Sequence, residues 1–417
     1  MKNSFEDLNY DICSLEWRLL DKIQSNNNFN PFIEGVLRAL FFTYKSTSQF
    51  NFFVKRHSII FLVGTHNQHL SLKRVAEKTQ NSQVLGFHNF KASSINGRVP
   101  SSLFYILGWM VFPVSVCRLL SIKNRYQRSS LTKRLERVVV SGSSVFVWKL
   151  LFRIWQPRMV VISNDHNHWT RSAVRAAAEL GVRTAYIPHA YTSSSFPELE
   201  CTVSFLDSEI QRRLYKRKST LESAEIRITG AVRYESKIKV TAVVEKAPLE
   251  GVIICFNELD SLDFIKAILS QSSEQLVAKY KIFVKPHPGD RSRFESIKKL
   301  CQNFQLTYVE PNDDIYNYSG KAQVLLGGVT GAHIDALMYG MLPLSLSYWY
   351  REDYYGLIKE NAVVIVDDLS EIPECYNRSL HDVRSIAHRF NYHFKNSEIV
   401  PSRRIANYFN DLPEHKI

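Results

Sequence analysis

Short apolar runs that end in a polar tip and lead into a helical pattern recur along this 417-residue chain. Ser58 to Val63 is one such run, and helical periodicity follows it from Leu70 to Lys78. Met159 to Ile162 is another, followed by a polar loop and an Ala-rich helix from Thr170 to Leu180. Strands of parallel sheets are buried on both faces and therefore read as continuous apolar runs. This alternation of apolar runs and helical patterns predicts βαβ units.

The second half of the chain repeats this alternation with the runs VIICF, KIFVK, LTYVE and QVLLG. A charged, turn-rich stretch, SKIKVTAVVEKAPLEGV, separates the halves and places a domain boundary near Lys246. The expected organisation is a helical segment over 1–56 and two Rossmann-like doubly wound α/β domains over 57–246 and 247–417. C-terminal helices are assigned to the second domain. Ligands of such folds bind outside the carboxyl ends of the strands, so a central cleft is the expected active site.

Charge constrains the partner, since 53 Lys and Arg stand against 40 Asp and Glu. The formal charge of +13 favours an anionic partner, although a generally basic surface would give the same count. An apolar and basic helical insertion is expected near 100–155. Its stretch Leu103 to Cys117 is too short to span a bilayer, so no transmembrane anchor is predicted. Its helices are either core helices or interfacial helices on an anionic membrane.

Two further features predict the compartment. The six cysteines are scattered without a Cys-x-x-Cys pair, which favours a reducing environment. Acidic residues interrupt the first twenty positions, unlike a secretion signal. We expect a cytoplasmic protein that can lie peripherally on the inner face of the cell membrane.

The segment YKIFVKPHPGD runs from a strand into a rigid, charged turn. Its two prolines fix the backbone on either side of His287, and Lys285 places an ammonium nearby. An imidazole and an ammonium at a strand tip suit a phosphate. The alternative is a proline-stiffened turn in which His287 caps the next helix. Lys285, His287 and Pro288 are therefore predicted donor-binding residues.

A second constellation, VLLGGVTGAHIDALMYGMLPLSL, places glycines between a strand and a helix. Gly328 and Gly331 would let the backbone approach a ligand, and Thr330 offers a hydroxyl beside the helix start. Asp335 lies about one turn further on, where a carboxylate can hold ribose hydroxyls. The chain has neither G-x-x-x-x-G-K-[ST] nor G-x-G-x-x-G after a first strand, which removes the main support for ATPase and dehydrogenase functions.

The order VVISND, AAAELGVRTAYIPHA, RITGAVR, VKPHPGD and GGVTGAHIDALMYGMLPLSL resembles GT-B glycosyltransferases of bacterial capsule and lipopolysaccharide synthesis. These include sialyltransferases, polysialyltransferases, Kdo transferases and CDP-glycerol glycerophosphotransferases. The resemblance covers roughly Met159 to Asp368 and implies a nucleotide-activated donor.

Carried over by residue, the resemblance implies that His287 and Pro288 contact the donor nucleotide and that Thr330 lies beside its phosphate. Asp335 matches the acidic residue that holds the ribose, where glutamate is commoner. His189-Ala190 stands where the glycerol-phosphate transferases have a His-Gly pair. The absence of a D-x-D motif agrees with metal-independent chemistry, and no cofactor is expected.

The first domain is expected to supply the acceptor site and the catalytic base. Asp165 and His189 lie at strand tips, and either could take a proton from an acceptor hydroxyl; Asp165 could instead cap a helix. Arg171 and Glu198 are candidate acceptor contacts. His166 and His168 alternate like a metal pair but lack further ligands at suitable spacing, so no metal site is predicted.

These inferences predict a glycosyltransferase with a nucleotide-sugar donor, preferably CMP-sialic acid or CMP-Kdo, and a glycan or glycolipid acceptor. A CDP-linked polyol-phosphate transferase and a non-hydrolysing UDP-sugar 2-epimerase remain alternatives of the same fold. A nucleic-acid-binding protein is the alternative from another class. It would show steeply salt-dependent binding to DNA or RNA, and we do not expect a nucleic-acid partner.

Overall fold

The fold is taken from a computed structural model that describes residues 31–46, 54–87, 90, 92–123, 125–193, 196–216, 224–236, 248–328, 330–349, 353, 355–378 and 400–413. The chain divides into two compact units. The first comprises Met1–Ala190, Ser195–Arg233 and Ile399–Ile417, and the second comprises Tyr191–Ser194 and Tyr234–Glu398.

The first unit is built on a seven-stranded parallel sheet. Its strands are β1 (Ile59–Val63), β2 (Ser82–Gly86), β3 (Gly97–Arg98), β4 (Met159–Ile162), β5 (Arg183–Tyr186), β6 (Val203–Leu206) and β7 (Glu225–Ile228). They lie in the order β3-β2-β1-β4-β5-β6-β7. The order reverses between β1 and β4, as in a Rossmann sheet, so their carboxyl ends flank the expected ligand crevice.

Helices cover both faces of this sheet. They are α1 (Pro31–Ser46), α2 (His66–Lys78), α3 (Ser101–Met110), α4 (Phe112–Leu120), α5 (Arg125–Lys133), α6 (Leu135–Trp155), α7 (His168–Glu179) and α8 (Glu209–Lys216). The predicted insertion near 100–155 corresponds to α3 to α6, which lie between β3 and β4. Trp148 and Trp155 of α6 are fully buried in a core that includes Ile60 and Val160 of the sheet.

The second unit repeats the plan with a six-stranded parallel sheet in the order β10-β9-β8-β11-β12-β13. Its strands are β8 (Gly251–Cys255), β9 (Lys281–Lys285), β10 (Thr307–Tyr308), β11 (Val324–Gly327), β12 (Leu342–Leu346) and β13 (Val364–Val366). The helices α9 (Leu262–Gln275), α10 (Phe294–Asn303) and α11 (Ala332–Met338) follow β8, β9 and β11. The prediction of two doubly wound parallel sheets is confirmed.

The C-terminal helix α12 (Pro401–Asn410) is not where the sequence analysis placed it. It belongs to the first unit, not to the second. Phe409 packs edge-on against Phe61 of β1 and Phe205 of β6, with ring centroids 5.9 and 5.4 Å apart. Burial of these aromatic rings beside Leu72 and Val75 of α2, which pack in the same core, accounts for the return of the chain.

Two other expectations concern residues outside the described part. The boundary near Lys246 falls there, while the compact units change between Arg233 and Tyr234. Of the helical segment expected over 1–56, the described residues show α1.

The helix α6 is long and apolar enough to cross a membrane, and α3 with α4 would pass the same test as a pair bent by 71°. In the most apolar 18-residue stretch of α6, 61% is buried within the protein. Because most of this stretch is buried, the apolar sequence of α6 is explained by its position in the core.

Candidate functional site

The tips of β4 and β5 in the first unit bring Asp165 and His189 into one polar cluster. Asp165 is 5% exposed, and one carboxylate oxygen lies 3.1 Å from Nδ1 of His166. The His166 and His189 rings are nearly parallel, with centroids 6.0 Å apart. Both predicted base candidates therefore lie beside the switch between β1 and β4, where ligands of such sheets bind.

The second carboxylate oxygen of Asp165 accepts a hydrogen bond from the Tyr215 hydroxyl. Burial first, and then the charge of Asp165, raise the pKa of Tyr215 well above its ordinary value, which keeps this phenol protonated. Tyr186 adds its hydroxyl 3.3 Å from that of Tyr215. Neither tyrosine could be predicted from the sequence, because their contacts join β5 and α8 to the distant tip of β4.

His189 is half-buried, and its Nδ1 hydrogen-bonds to the Ser163 carbonyl. Burial, and next the nearby His166, lower the pKa of His189 to about 4. The imidazole is therefore neutral near pH 7.

The predicted acceptor contacts have different surroundings. Arg171 is 5% exposed and donates to the carbonyls of Asp165, at 3.1 Å, and Glu198, at 3.4 Å. It also pairs with Glu200 at 2.5 Å. These contacts correct the prediction for Arg171: its donors tie two loops together instead of facing an acceptor. Glu198 is half-buried in the loop that Arg171 anchors.

A buried ion pair was also missed. Asp207, at the tip of β6, accepts a hydrogen bond from Arg233 at 2.6 Å and another from Gln211 at 3.3 Å. Burial raises the pKa of Asp207 above its usual value although Arg233 opposes the shift. The sequence signal that could have indicated Asp207 is an acidic residue that follows directly after an apolar run.

In the second unit, His287 stands exposed at the tip of β9 beside the exposed Pro288. Its Nδ1 accepts a hydrogen bond from the Gly289 amide at 3.1 Å. The neutral ring consequently carries its proton on Nε2, which makes that atom a donor. This geometry suits an acceptor such as a phosphate or a base oxygen.

Lys285 does not accompany His287 at the surface, which corrects the prediction for this residue. It is 8% exposed, and its ammonium donates to the Pro311 carbonyl at 2.5 Å and the Glu310 carbonyl at 3.4 Å. Burial lowers the pKa of Lys285. The ammonium therefore fixes the turn after β10 and is unavailable to a phosphate.

Arg293 ties the tips of β8 and β9 together. It pairs with Asp290 through both carboxylate oxygens, at 2.8 and 2.6 Å, and donates to the Glu258 carbonyl at 3.0 Å and to the Asp260 carbonyl. These contacts fix the loop that carries His287 against the loop after β8.

Gly328, at the tip of β11, has a packing reason to be glycine. A Cβ there would lie 2.6 Å from Nε1 of Trp349, and this indole donates to Asp260 at 3.0 Å. The tip of β11 thus packs against an indole that is bonded to the β8 loop, and the predicted ligand approach is not needed to explain this glycine.

The start of α11 uses its amides locally. Thr330 accepts through its hydroxyl oxygen from the Ala332 amide at 3.2 Å, and the His333 amide donates to the Thr330 carbonyl at 3.4 Å. The amides of Ala332 and His333 are thereby occupied, while the half-exposed Thr330 hydroxyl keeps its own proton to donate. Gly331 is the N-cap residue of this helix.

Asp335 lies in the first turn of α11 and is half-exposed. Its carboxylate accepts a hydrogen bond from the Tyr234 hydroxyl. Tyr234 in turn packs against Tyr339 at 5.8 Å between centroids. A ribose contact at Asp335 would therefore share the carboxylate with this phenol.

Among the residues that the structure describes, no group of three or more His, Cys, Asp or Glu side chains could hold a metal ion.

A scan of family models and a search of curated proteins gave no match. Solved structures do match. One is the UDP-GlcNAc 2-epimerase from Neisseria meningitidis bound to UDP-GlcNAc, 16% identical over 84% of this chain and 98% of that one, with a TM-score of 0.51. Another is MnaA of S. aureus with UDP, 14% identical over 84% and 95% of the two chains, with a TM-score of 0.50.

The wall teichoic acid polymerase TagF is also similar, at 9% identity over 98% of this chain and 96% of that one, with a TM-score of 0.46. With two parallel sheets in Rossmann order, the chain has the two-domain GT-B fold.

Proposed function

We propose that this chain is a glycosyltransferase that moves a sugar from a nucleotide-activated donor to a surface polysaccharide or lipid-linked acceptor. The observation that carries the proposal is the braced tip of β9, which presents the Nε2 donor of His287 beside the switch between β8 and β11. An exposed imidazole donor at this place fits the phosphate or base of a nucleotide.

The second unit would hold the donor nucleotide. His287 would donate to its phosphate or base, Pro288 would fix that loop, and Thr330 would offer its hydroxyl to the phosphate. Asp335 would accept from the ribose. Protein donors of this kind stabilise a leaving phosphate without a metal ion.

The preferred donor is a CMP-linked sugar acid, which rests on the sequence resemblance. The first unit would supply the acceptor site, with Glu198 near it, and the catalytic base in the cluster of Asp165 and His189.

A second candidate is a non-hydrolysing 2-epimerase acting on a UDP-sugar. It is favoured by the fold similarity to the Neisseria epimerase with UDP-GlcNAc bound. Calorimetry with CMP, CDP, UDP, GDP and ADP, followed by turnover with and without acceptors, tests both candidates. Turnover of a nucleotide sugar only with an acceptor supports the transferase, and interconversion of UDP-GlcNAc without one supports the epimerase. A phosphodiester product would identify a polyol-phosphate transferase, and the absence of any nucleotide binding would contradict all three.

We also propose that the transferase works on the inner face of the cell membrane. Large apolar side chains are exposed on α3, α4 and α6, among them Met110 at 73%, Leu120 at 64% and Phe146 at 63%. Close packing of Gly142 against Ser115 and Val111 makes α4 and α6 neighbours.

The charge of these helices favours an anionic bilayer. Residues 100–156 contain nine Lys and Arg and a single acid, Glu136. Glu136 is buried and pairs with Arg38 at 3.0 Å, so it does not offset the surface charge. Exposed apolar side chains beside basic ones are typical of interfacial helices on anionic lipid.

A further inference from the structure

The loop after β4 holds Asp165 in a way that prevents it from reaching an acceptor. It is 5% exposed, and its two carboxylate oxygens are engaged by Tyr215 and His166. A general base must reach the hydroxyl whose proton it takes. Asp165 therefore serves its neighbours, and another group in the cluster must meet the substrate.

His166 is the group that Asp165 orients. A carboxylate only accepts, so the contact of 3.1 Å between Asp165 and Nδ1 of His166 places the ring proton on Nδ1. Nε2 is then a lone-pair acceptor, and it has no hydrogen-bond partner among the residues that the structure describes. The side chain of His166 remains 27% exposed.

The backbone around His166 is fixed by its own loop. The His166 amide donates to the Asn164 side chain at 3.0 Å, and Thr170 donates through its hydroxyl to the Asn164 carbonyl at 2.6 Å. Phe196 packs on the His166 ring with centroids 4.3 Å apart. The imidazole is thus positioned before any ligand binds, which lowers the entropy lost on reaction.

His189 differs in the partner of its Nδ1. That partner is the neutral Ser163 carbonyl, whereas Nδ1 of His166 lies against the Asp165 carboxylate. The groups in contact with the His166 ring are the Asp165 carboxylate, the His189 ring and the Phe196 ring, and Asp165 in turn contacts Tyr215 and Arg171. Of the two histidines, His166 is consequently the one whose ring a carboxylate orients.

We propose that His166 is the general base of the transfer, with Asp165 and Tyr215 as positioning residues that hold its tautomer. The inference rests on the proposed transferase function and adds its base. The acceptor hydroxyl gives its proton to Nε2 of His166 while its oxygen forms the bond to the anomeric carbon of the donor. The bond from that carbon to the phosphate oxygen breaks, and its electron pair leaves with the nucleotide.

The arrangement can be tested without turnover by long-range ¹H–¹⁵N NMR of the histidine rings. In its neutral form, wild-type His166 is expected to carry its proton on Nδ1, with Nε2 unprotonated. Asp165→Asn and Tyr215→Phe should shift the Nδ1 proton signal of His166, whereas His57→Asn, at an exposed position with positive φ, should not. A wild-type His166 that carries its proton on Nε2 would overturn the arrangement.

Kinetics test the role. His166→Gln is expected to lower kcat about 10²- to 10⁴-fold, the usual contribution of a general base, with donor KM within about two-fold. His189→Gln should lower kcat by a smaller factor, and His57→Asn should leave kcat unchanged. Retention of kcat in His166→Gln would refute the base assignment. A wild-type protein with the expected NMR signature and no transfer to any acceptor would instead overturn the proposed function, and the base assignment with it.

Discussion

The ammonium of Lys285 donates to the backbone carbonyl of Pro311 over 2.5 Å, which joins the end of β9 to the turn after β10. We expect Lys285→Met to lower the free energy of unfolding by about 1–3 kcal/mol, because hydrogen bonds from a charged group are lost and the buried Pro311 carbonyl loses this donor. Urea denaturation measures this change, with Lys281→Met on the exposed first residue of the same strand as the control. Equal stability of the two variants would contradict a structural role for Lys285.

For His287 we expect a loss of ligand binding without a loss of stability. His287→Ala should weaken nucleotide binding at least about ten-fold, the loss of one hydrogen bond to a charged phosphate, and should leave the Tm unchanged because the side chain is exposed. Calorimetry with the nucleotide that binds the wild-type chain measures the affinity, and His57→Asn serves as the control. Unchanged affinity would remove His287 from the donor site.

The contact between Gly328 and Trp349 predicts that Gly328→Ala is destabilising. The added Cβ would lie 2.6 Å from the indole nitrogen of Trp349. It would push away this ring, which donates a hydrogen bond to Asp260. We expect a loss of about 1–3 kcal/mol, which is usual for overpacking. Gly320→Ala, where nothing lies within 4 Å, is the matched control in thermal unfolding. A tolerated alanine at Gly328 would mean that the indole moves easily.

Acid should destabilise the second unit through His333. Burial lowers the pKa of His333 to about 4, and its Nε2 lies 3.1 Å from the Leu344 carbonyl. Between about pH 6.5 and 4 the unfolded chain binds a proton that the folded chain does not, so stability falls as the pH falls, by about 1.4 kcal/mol per unit at most. Above that window the effect disappears.

Denaturation at pH 7.5 and pH 5 tests this sign. His333→Gln should be less stable than wild type at pH 7.5 but should lose less stability on acidification. His287→Ala, which removes an exposed imidazole, should keep the wild-type dependence. If His333→Gln kept the full dependence, the acid sensitivity would have to come from other groups.

The apolar surface of α3 and α4 predicts binding to anionic vesicles. Met110→Glu with Leu120→Glu should weaken binding to phosphatidylglycerol vesicles by ten-fold or more, since each exposed apolar side chain contributes about 1–2 kcal/mol when it enters lipid. Leu262→Glu, a 38% exposed residue in the first turn of α9, is the control. Vesicle sedimentation at low and high salt measures the effect, and equal binding of all three proteins would contradict the proposed surface.

Much of the fold could be predicted because parallel strands are marked by apolar runs that need no distant partner. The strands β1, β4, β8, β9 and β11 were all readable in this way. Lys285 shows the limit: the sequence places a charge at a strand tip but not the direction of its side chain, which the turn after β10 decides. Tyr215 and Arg233 could not be found because each acts on a carboxylate from a different strand. The position of α12 depended on which part of the two sheets the other helices leave exposed, and periodicity does not encode this.

The packing of Phe409 on Phe61 and Phe205 has a consequence for synthesis of the chain. The strands β1 to β7 leave the ribosome long before α12, so the part of the first sheet that Phe409 covers stays exposed while the whole second unit is being made. The first unit can complete its core only after the last helix emerges, and a chain cut before Pro401 would expose an aromatic surface that favours aggregation.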